Sequence, residues 1–111
     1  MNLDKKIGIL GLGESGYWAA ILAHKLGYQV FISESKDEIT AKYSDELKKR
    51  NIFIEYGGHT ENFLNSVDLI VKSPGIPKNS NIMKRVLDKK IDVVSEIEFA
   101  SNFSKIRNIC I

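Results

Sequence analysis

Residues suited to chemistry fall in three short stretches of this 111-residue chain. The first is "ILGLGESGYW", where Gly11, Gly13 and Gly16 fit G-x-G-x-x-G after an apolar run and before a small-residue helix pattern. Each glycine has its own physical role. Gly11 permits the tight turn, Gly13 admits a phosphate that a Cβ would block, and Gly16 lets the helix pack close to the strand. The free N–H groups of the first helical turn, around Glu14 to Tyr17, would face that phosphate with the positive end of the helix dipole behind them. Glu14 would offer only its backbone N–H, since its carboxylate repels a diphosphate, whereas Ser15 could both cap the helix and donate its hydroxyl proton. With no ligand, the same turn is a tight strand-to-helix crossover.

The second stretch, "VFISESK", puts Glu34 at a strand end, 21 residues after Gly13. In the dinucleotide fingerprint an acid here accepts hydrogen bonds from ribose hydroxyls, so the residues by themselves point to a nicotinamide or flavin dinucleotide. The plainer alternative for Glu34 is a surface charge. The third stretch is "SPGIP", Ser73 to Pro77, which holds both prolines of the chain. A glycine between two prolines holds backbone groups still at small entropic cost, at the sheet edge where open α/β folds bind ligands. Its bland reading is a strand terminator.

These residues need a scaffold, and the pattern supplies one. "KIGIL", "QVFIS", "IFIEY", "DLIVK", "DVVSE" and "IRNICI" are strand candidates, alternating with amphipathic segments as in β-α-β units. The expected fold is α/β: a Rossmann-like, open, mainly parallel sheet of about five strands with helices on both faces. The first helix is expected from about Ser15 to Leu26, with Gly27 as its C-terminal cap, and the second from about Ile39 to Lys49. A short helix starts at Thr60. Another starts near Ser80, with Ile82, Met83, Val86 and Leu87 inward, and Ser95 with Glu98 forms a capping box for the last. Tyr17 and Trp18 either pack under the sheet or flank a ligand.

Composition is that of a single soluble globular domain, 43% hydrophobic and 27% charged. A net charge of +2 gives no case for nucleic acid, and "ELKKR" and "LDKK" read as solvated helix faces. The single Cys110 allows no internal disulfide and reads as a buried strand thiol, which suits a reducing compartment. Neither a membrane span nor a signal-peptide core is evident, so the expected location is cytoplasmic. His24 reads as a helix-surface or packing residue and His59, in "GGHTEN", as a turn residue.

The sequence resembles the N-terminal domain of the Mur ligases, in particular the member that adds D-glutamate to UDP-N-acetylmuramoyl-L-alanine. The matching parts are "GILGLGESG", "GYQVFISESK", "GGHTENFLNSVDLIVKSPGIP" and "VVSEIEFA", nearly the whole chain. The resemblance implies that the domain binds the UDP portion of that substrate. The Glu14 and Ser15 backbone would meet the diphosphate, Glu34, Ser35 and Lys36 would surround uracil and its ribose, and Ser73, Pro74 and Gly75 would line the path to the sugar. It also implies an ATP- and Mg2+-dependent ligase whose phosphate loop, G-x-x-x-x-G-K-[ST], these residues lack. Residues 1–104 would then be the UDP-binding domain and 105–111 the first strand of an ATP-binding domain, with the C-terminal domains of the same chain as partners and no catalytic residue here. The alternatives are an NAD(P)-binding oxidoreductase domain and a nucleotide-sensing regulatory module.

Overall fold

The computed structural model describes residues 5–36 and 41–101. In chain order the elements are β1 (Lys6–Leu10), α1 (Glu14–Lys25), β2 (Gln29–Ser33), α2 (Ala41–Lys49), β3 (Phe53–Glu55), α3 (Glu61–Ser66), β4 (Leu69–Lys72), α4 (Asn81–Asp88) and β5 (Asp92–Ser95). Residues 96–101 are again helical. The strand expected over 105–111, with Cys110, and the start of the second helix at Ile39 lie outside the described residues.

All five strands are parallel, in the order β3-β2-β1-β4-β5. Alternation along β1 decides what covers each face. Ile7 and Ile9 join Val30, Ile32 and Val71 under Ala20 and Ala23 of α1, Leu47 of α2 and Phe99, while Leu10 and Ile70 pack with Phe63, Leu64, Ile82, Met83 and Val86 of α3 and α4. Helices therefore cover both faces. Gly8 makes room on the second side, because a Cβ there would lie 2.9 Å from both Phe63 and Val67 side-chain carbons.

Local signals set the ends. Gly27, at φ +94°, closes α1: its N–H donates to the His24 carbonyl at 3.0 Å and that of Tyr28 to Ala23 at 3.1 Å. The Thr60 and Ser80 side chains accept from the N–H groups of Phe63 and Met83, capping α3 and α4. Ser95 and Glu98 form the reciprocal capping box, at 3.0 and 3.4 Å.

Three expectations need correction. Ser15 does not cap α1: Gly13 holds the N-cap position, with no side-chain bond, and Ser15 lies one residue inside the helix start. Leu87 does not face inward but is 64% exposed, because the short α4 presents only Ile82, Met83 and Val86 to the sheet. Tyr17 and Trp18 part company: Tyr17 is buried and stacks on Tyr43, with ring centres 4.5 Å apart, whereas Trp18 turns outward and is 58% exposed. Among the described residues no helix is long and apolar enough to cross a membrane.

Candidate functional site

The order of the strands places the site. β1 and β4 are neighbours, with Leu10 opposite Lys72, and the Ser73 N–H continues the pairing to the Leu10 carbonyl at 3.1 Å. The chain leaves β1 toward β2 on one side, whereas β4 and β5 lie on the other, which makes this the topological switch point where open α/β sheets form a crevice. A cavity of about 660 Å³ occupies it. Gly11 and Gly13 of the first turn, Glu34, Ser35 and Lys36 after β2, and Ser73 and Gly75 after β4 all line it.

The glycines divide the work. Gly11 holds φ +91°, a left-handed conformation that glycine adopts freely. A Cβ on Gly16 would meet the Gly11 carbonyl oxygen at 2.5 Å, so that position demands glycine for the helix to close on the turn. A Cβ on Gly13 would meet nothing within 4 Å, which leaves open space beside the first turn of α1. Helix geometry leaves the N–H groups of Glu14, Ser15 and Gly16 without intrahelical partners. The Tyr17 N–H, by contrast, donates to the Gly13 carbonyl at 2.9 Å.

Glu34 is buried and braces the turn. Its Oε1 accepts the Leu12 N–H at 2.7 Å and its Oε2 the Lys36 N–H at 2.9 Å. Burial pushes its pKa up, but those two amides, the Ser35 hydroxyl and the Lys36 charge outweigh it and hold the carboxyl below its ordinary value. Ser35 and Lys36 are exposed at the rim.

The proline loop is fastened by a residue that sequence reasoning passed over. Lys72 donates from Nζ to the carbonyls of Ser73, at 3.1 Å, and Ile76, at 2.8 Å, so that one ammonium ties both ends of Ser73–Ile76. Ser73 also accepts the Gly75 N–H on Oγ at 3.4 Å.

Ile76 and Pro77 of the proline loop continue into an opposite wall that sequence reasoning missed, made by His59, Ser80, Asn81, Ile82 and Arg85. The Ser80 cap, only three residues beyond Pro77, is the signal that could have brought the start of α4 to this crevice. His59 is half-buried behind a polar network. The Ser33 hydroxyl donates to Glu55 and lies 2.6 Å from His59 Nδ1; with its one proton committed to Glu55, it accepts from an Nδ1–H tautomer. Glu55 also accepts from the Thr60 hydroxyl at 2.6 Å, and Arg85 donates to the His59 carbonyl at 2.8 Å. Burial lowers the His59 pKa, aided by the Arg85 charge, against the opposing pull of Glu55 and Glu34.

Four residues singled out from the sequence lie apart. Ser15 and Pro74 line a neighbouring apolar cleft instead, and Glu14 and Gly16 line neither. Glu14 is exposed and Gly16 is buried between helix and turn.

A glycine turn, a helix N-terminus and a crevice at the switch point of a parallel sheet are the architecture in which open α/β domains place their ligand sites. Comparison with known proteins narrows this. Residues 5–95 match the family model described as "Mur ligase MurD-like, N-terminal domain". The UDP-N-acetylmuramoylalanine--D-glutamate ligase of Christiangramia forsetii is 49% identical over 104 residues, 94% of this chain and 23% of that one. The ligase of the same name from Porphyromonas gingivalis is 43% identical over 110 residues, 99% of this chain and 24% of that one. Among solved structures, a murein peptide ligase from Psychrobacter arcticus superposes with a TM-score of 0.77 at 26% identity, over 88% of this chain and 20% of that chain. The UDP-N-acetylmuramate-alanine ligase MurC of Thermotoga maritima shares the fold, with a TM-score of 0.73 at 22% identity, over 91% of this chain and 23% of that chain. This chain belongs to the MurD-like N-terminal domain family of the Mur ligases. It spans about a quarter of the length of the curated relatives it matches.

Proposed function

We propose that this domain binds the UDP portion of UDP-N-acetylmuramoyl-L-alanine within an ATP- and Mg2+-dependent ligase that adds D-glutamate to it. The observation that carries the reading is the cavity shared by the glycine turn, Glu34 to Lys36 and the Ser73 to Gly75 loop. The diphosphate sits against the open face of Gly13 and the first-turn amides of α1, where neither a Cβ nor a helical carbonyl competes for them. Lys36, at the rim, supplies a cation. Ser35 and Glu34 line the part of the cavity that takes the ribose and base. The Glu34 carboxylate takes the Leu12 N–H on Oε1 and both the Lys36 N–H and the Ser35 hydroxyl on Oε2, which leaves one acceptor site, on Oε1, for a hydroxyl or an imide N–H. Ser73 and Gly75, held by Lys72, lead toward the sugar.

The names of the relatives support a uridylated muramyl substrate over a nicotinamide dinucleotide. Ligation, with ATP and Mg2+, is carried by the longer chain. Isothermal titration with UDP-N-acetylmuramoyl-L-alanine, UDP, NAD and NADP tests the reading. Heat with the two uridylated ligands and none with the dinucleotides is expected; the opposite selectivity refutes it. The ligand must reach about 1 mM, since losing two charge-assisted hydrogen bonds from the rest of the ligase weakens binding by about 3 to 6 kcal/mol.

A further inference from the structure

Next to that cavity lies a second cleft, of about 460 Å³, lined by Ser15, Trp18, Leu22, Pro74, Glu96 and Ile97, among others. Two features set it apart. Its rim is apolar and open to solvent, with Trp18 58% and Ile97 78% exposed. Its Glu96 is only 5% exposed, yet neither carboxylate oxygen has a hydrogen-bond partner among the described residues. A buried carboxylate without a donor is costly, and large apolar side chains clustered on a surface mark an interaction site.

We propose that this cleft is the docking surface for the part of the ligase chain that follows this domain, and that the docked segment brings a basic side chain, flanked by apolar ones, to Glu96. Three observations select that occupant. The family is that of an N-terminal domain, and the relatives are about four times as long as the matched stretch, so a partner of the same chain exists in them. Glu96, Ile97 and Ala100 belong to the helix of residues 96–101, the last described element, so a following segment is tethered beside the cleft at high effective concentration. Charge argues against a second copy of this domain. A two-fold contact sets the patch against itself, and no Lys or Arg lines it to answer Glu96. The inference rests on the family assignment and not on the ligand reading, so a blank titration with the UDP-sugar leaves it standing.

Hydroxyl-radical footprinting tests it, on the 111-residue chain and on a full-length graft in which this chain replaces the matched stretch of the Christiangramia forsetii ligase. Modification of Trp18 is expected to fall roughly fivefold or more in the graft, as it does for a side chain enclosed in an interface core. Leu87, exposed on α4, should be modified equally in both. Ile97→Asp, at a position exposed enough to leave the fold intact, should restore Trp18 modification in the graft. Glu96→Gln, which keeps the size and removes the charge, should restore it in part. Equal Trp18 modification in graft and short chain overturns the proposal. So does protection already present in the short chain that grows with its concentration, which would make the occupant a second copy. A Glu96→Gln graft as protected as the unsubstituted one overturns the basic partner.

Discussion

The carboxylate of Glu34 at the end of β2 receives the backbone N–H of Leu12 at 2.7 Å, so an acid on one strand fixes the turn that leaves its neighbour. Together with the Lys36 N–H on the other oxygen, it makes Glu34 a brace as well as a candidate ligand group. Glu34→Gln keeps the shape but turns an N–H toward one of those amides. A loss of about 1.5 to 3 kcal/mol is expected, read as a lower urea midpoint at unchanged slope. Unchanged stability would show that the brace carries no energy.

Gly13 and Gly16 should separate binding from folding. Gly16→Ala forces a Cβ to 2.5 Å from a backbone oxygen and should cost about 1 to 3 kcal/mol of stability. Gly13→Ala meets no atom and keeps an ordinary φ of −100°, so stability should stay within about 1 kcal/mol of the parent. Its UDP-sugar affinity should drop at least about tenfold, because the methyl takes the space of the phosphate. Urea unfolding and calorimetry on both variants check the contrast.

Lys72→Met keeps the aliphatic stem of a residue that lines no part of the cavity and removes both bonds to the proline loop. Hydrogen exchange at Gly75 and Ile76 should quicken, and UDP-sugar binding should weaken by about 1 kcal/mol as the ligand takes on the cost of ordering the loop. Binding unchanged alongside faster exchange would separate loop order from affinity.

Stability should fall in two stages with acid. His59 has a folded pKa below its ordinary 6.5, chiefly through burial, so the unfolded chain binds more protons and stability declines as pH drops from 6.5 through the folded value. Burial works to raise Glu34 and Glu55, but their hydrogen-bond donors prevail and hold both below 4.5; their stabilisation, complete above that value, is lost as pH falls beneath it. His59→Gln should flatten the profile between 6.5 and 4.5 and keep the acid limb. A slope that survives in this variant would assign the first stage to another group.

The local grammar of this fold was open to reading from residues alone. "QVFIS" and "KIGIL" match β2 and β1 residue for residue, because short β-branched runs bounded by turn formers have one good conformation. Thr60, Ser80, Ser95 and Gly27 mark helix ends because caps work through bonds a few residues long. The G-x-G-x-x-G turn and the proline loop were equally plain. Their joining in one cavity was decided only by the sheet order, which sets β4 beside β1 and makes register partners of Leu10 and Lys72, residues far apart in the chain.

Long-range placement is where the sequence ran out. Nothing local marks His59 and Arg85 as the far wall of the cavity, Lys72 as the clasp of the proline loop, or Glu96 as buried without a donor, since each depends on what other strands and helices bring alongside. Trp18 and Leu87 turned outward for the same reason: an apolar residue is buried only if the packed neighbours reach it, and in α1 and α4 they do not. Residue type and spacing settled which elements form and where the glycine and proline turns fall; the tertiary structure settled which of them meet, because strand order and helix packing are set by contacts between residues far apart in the chain.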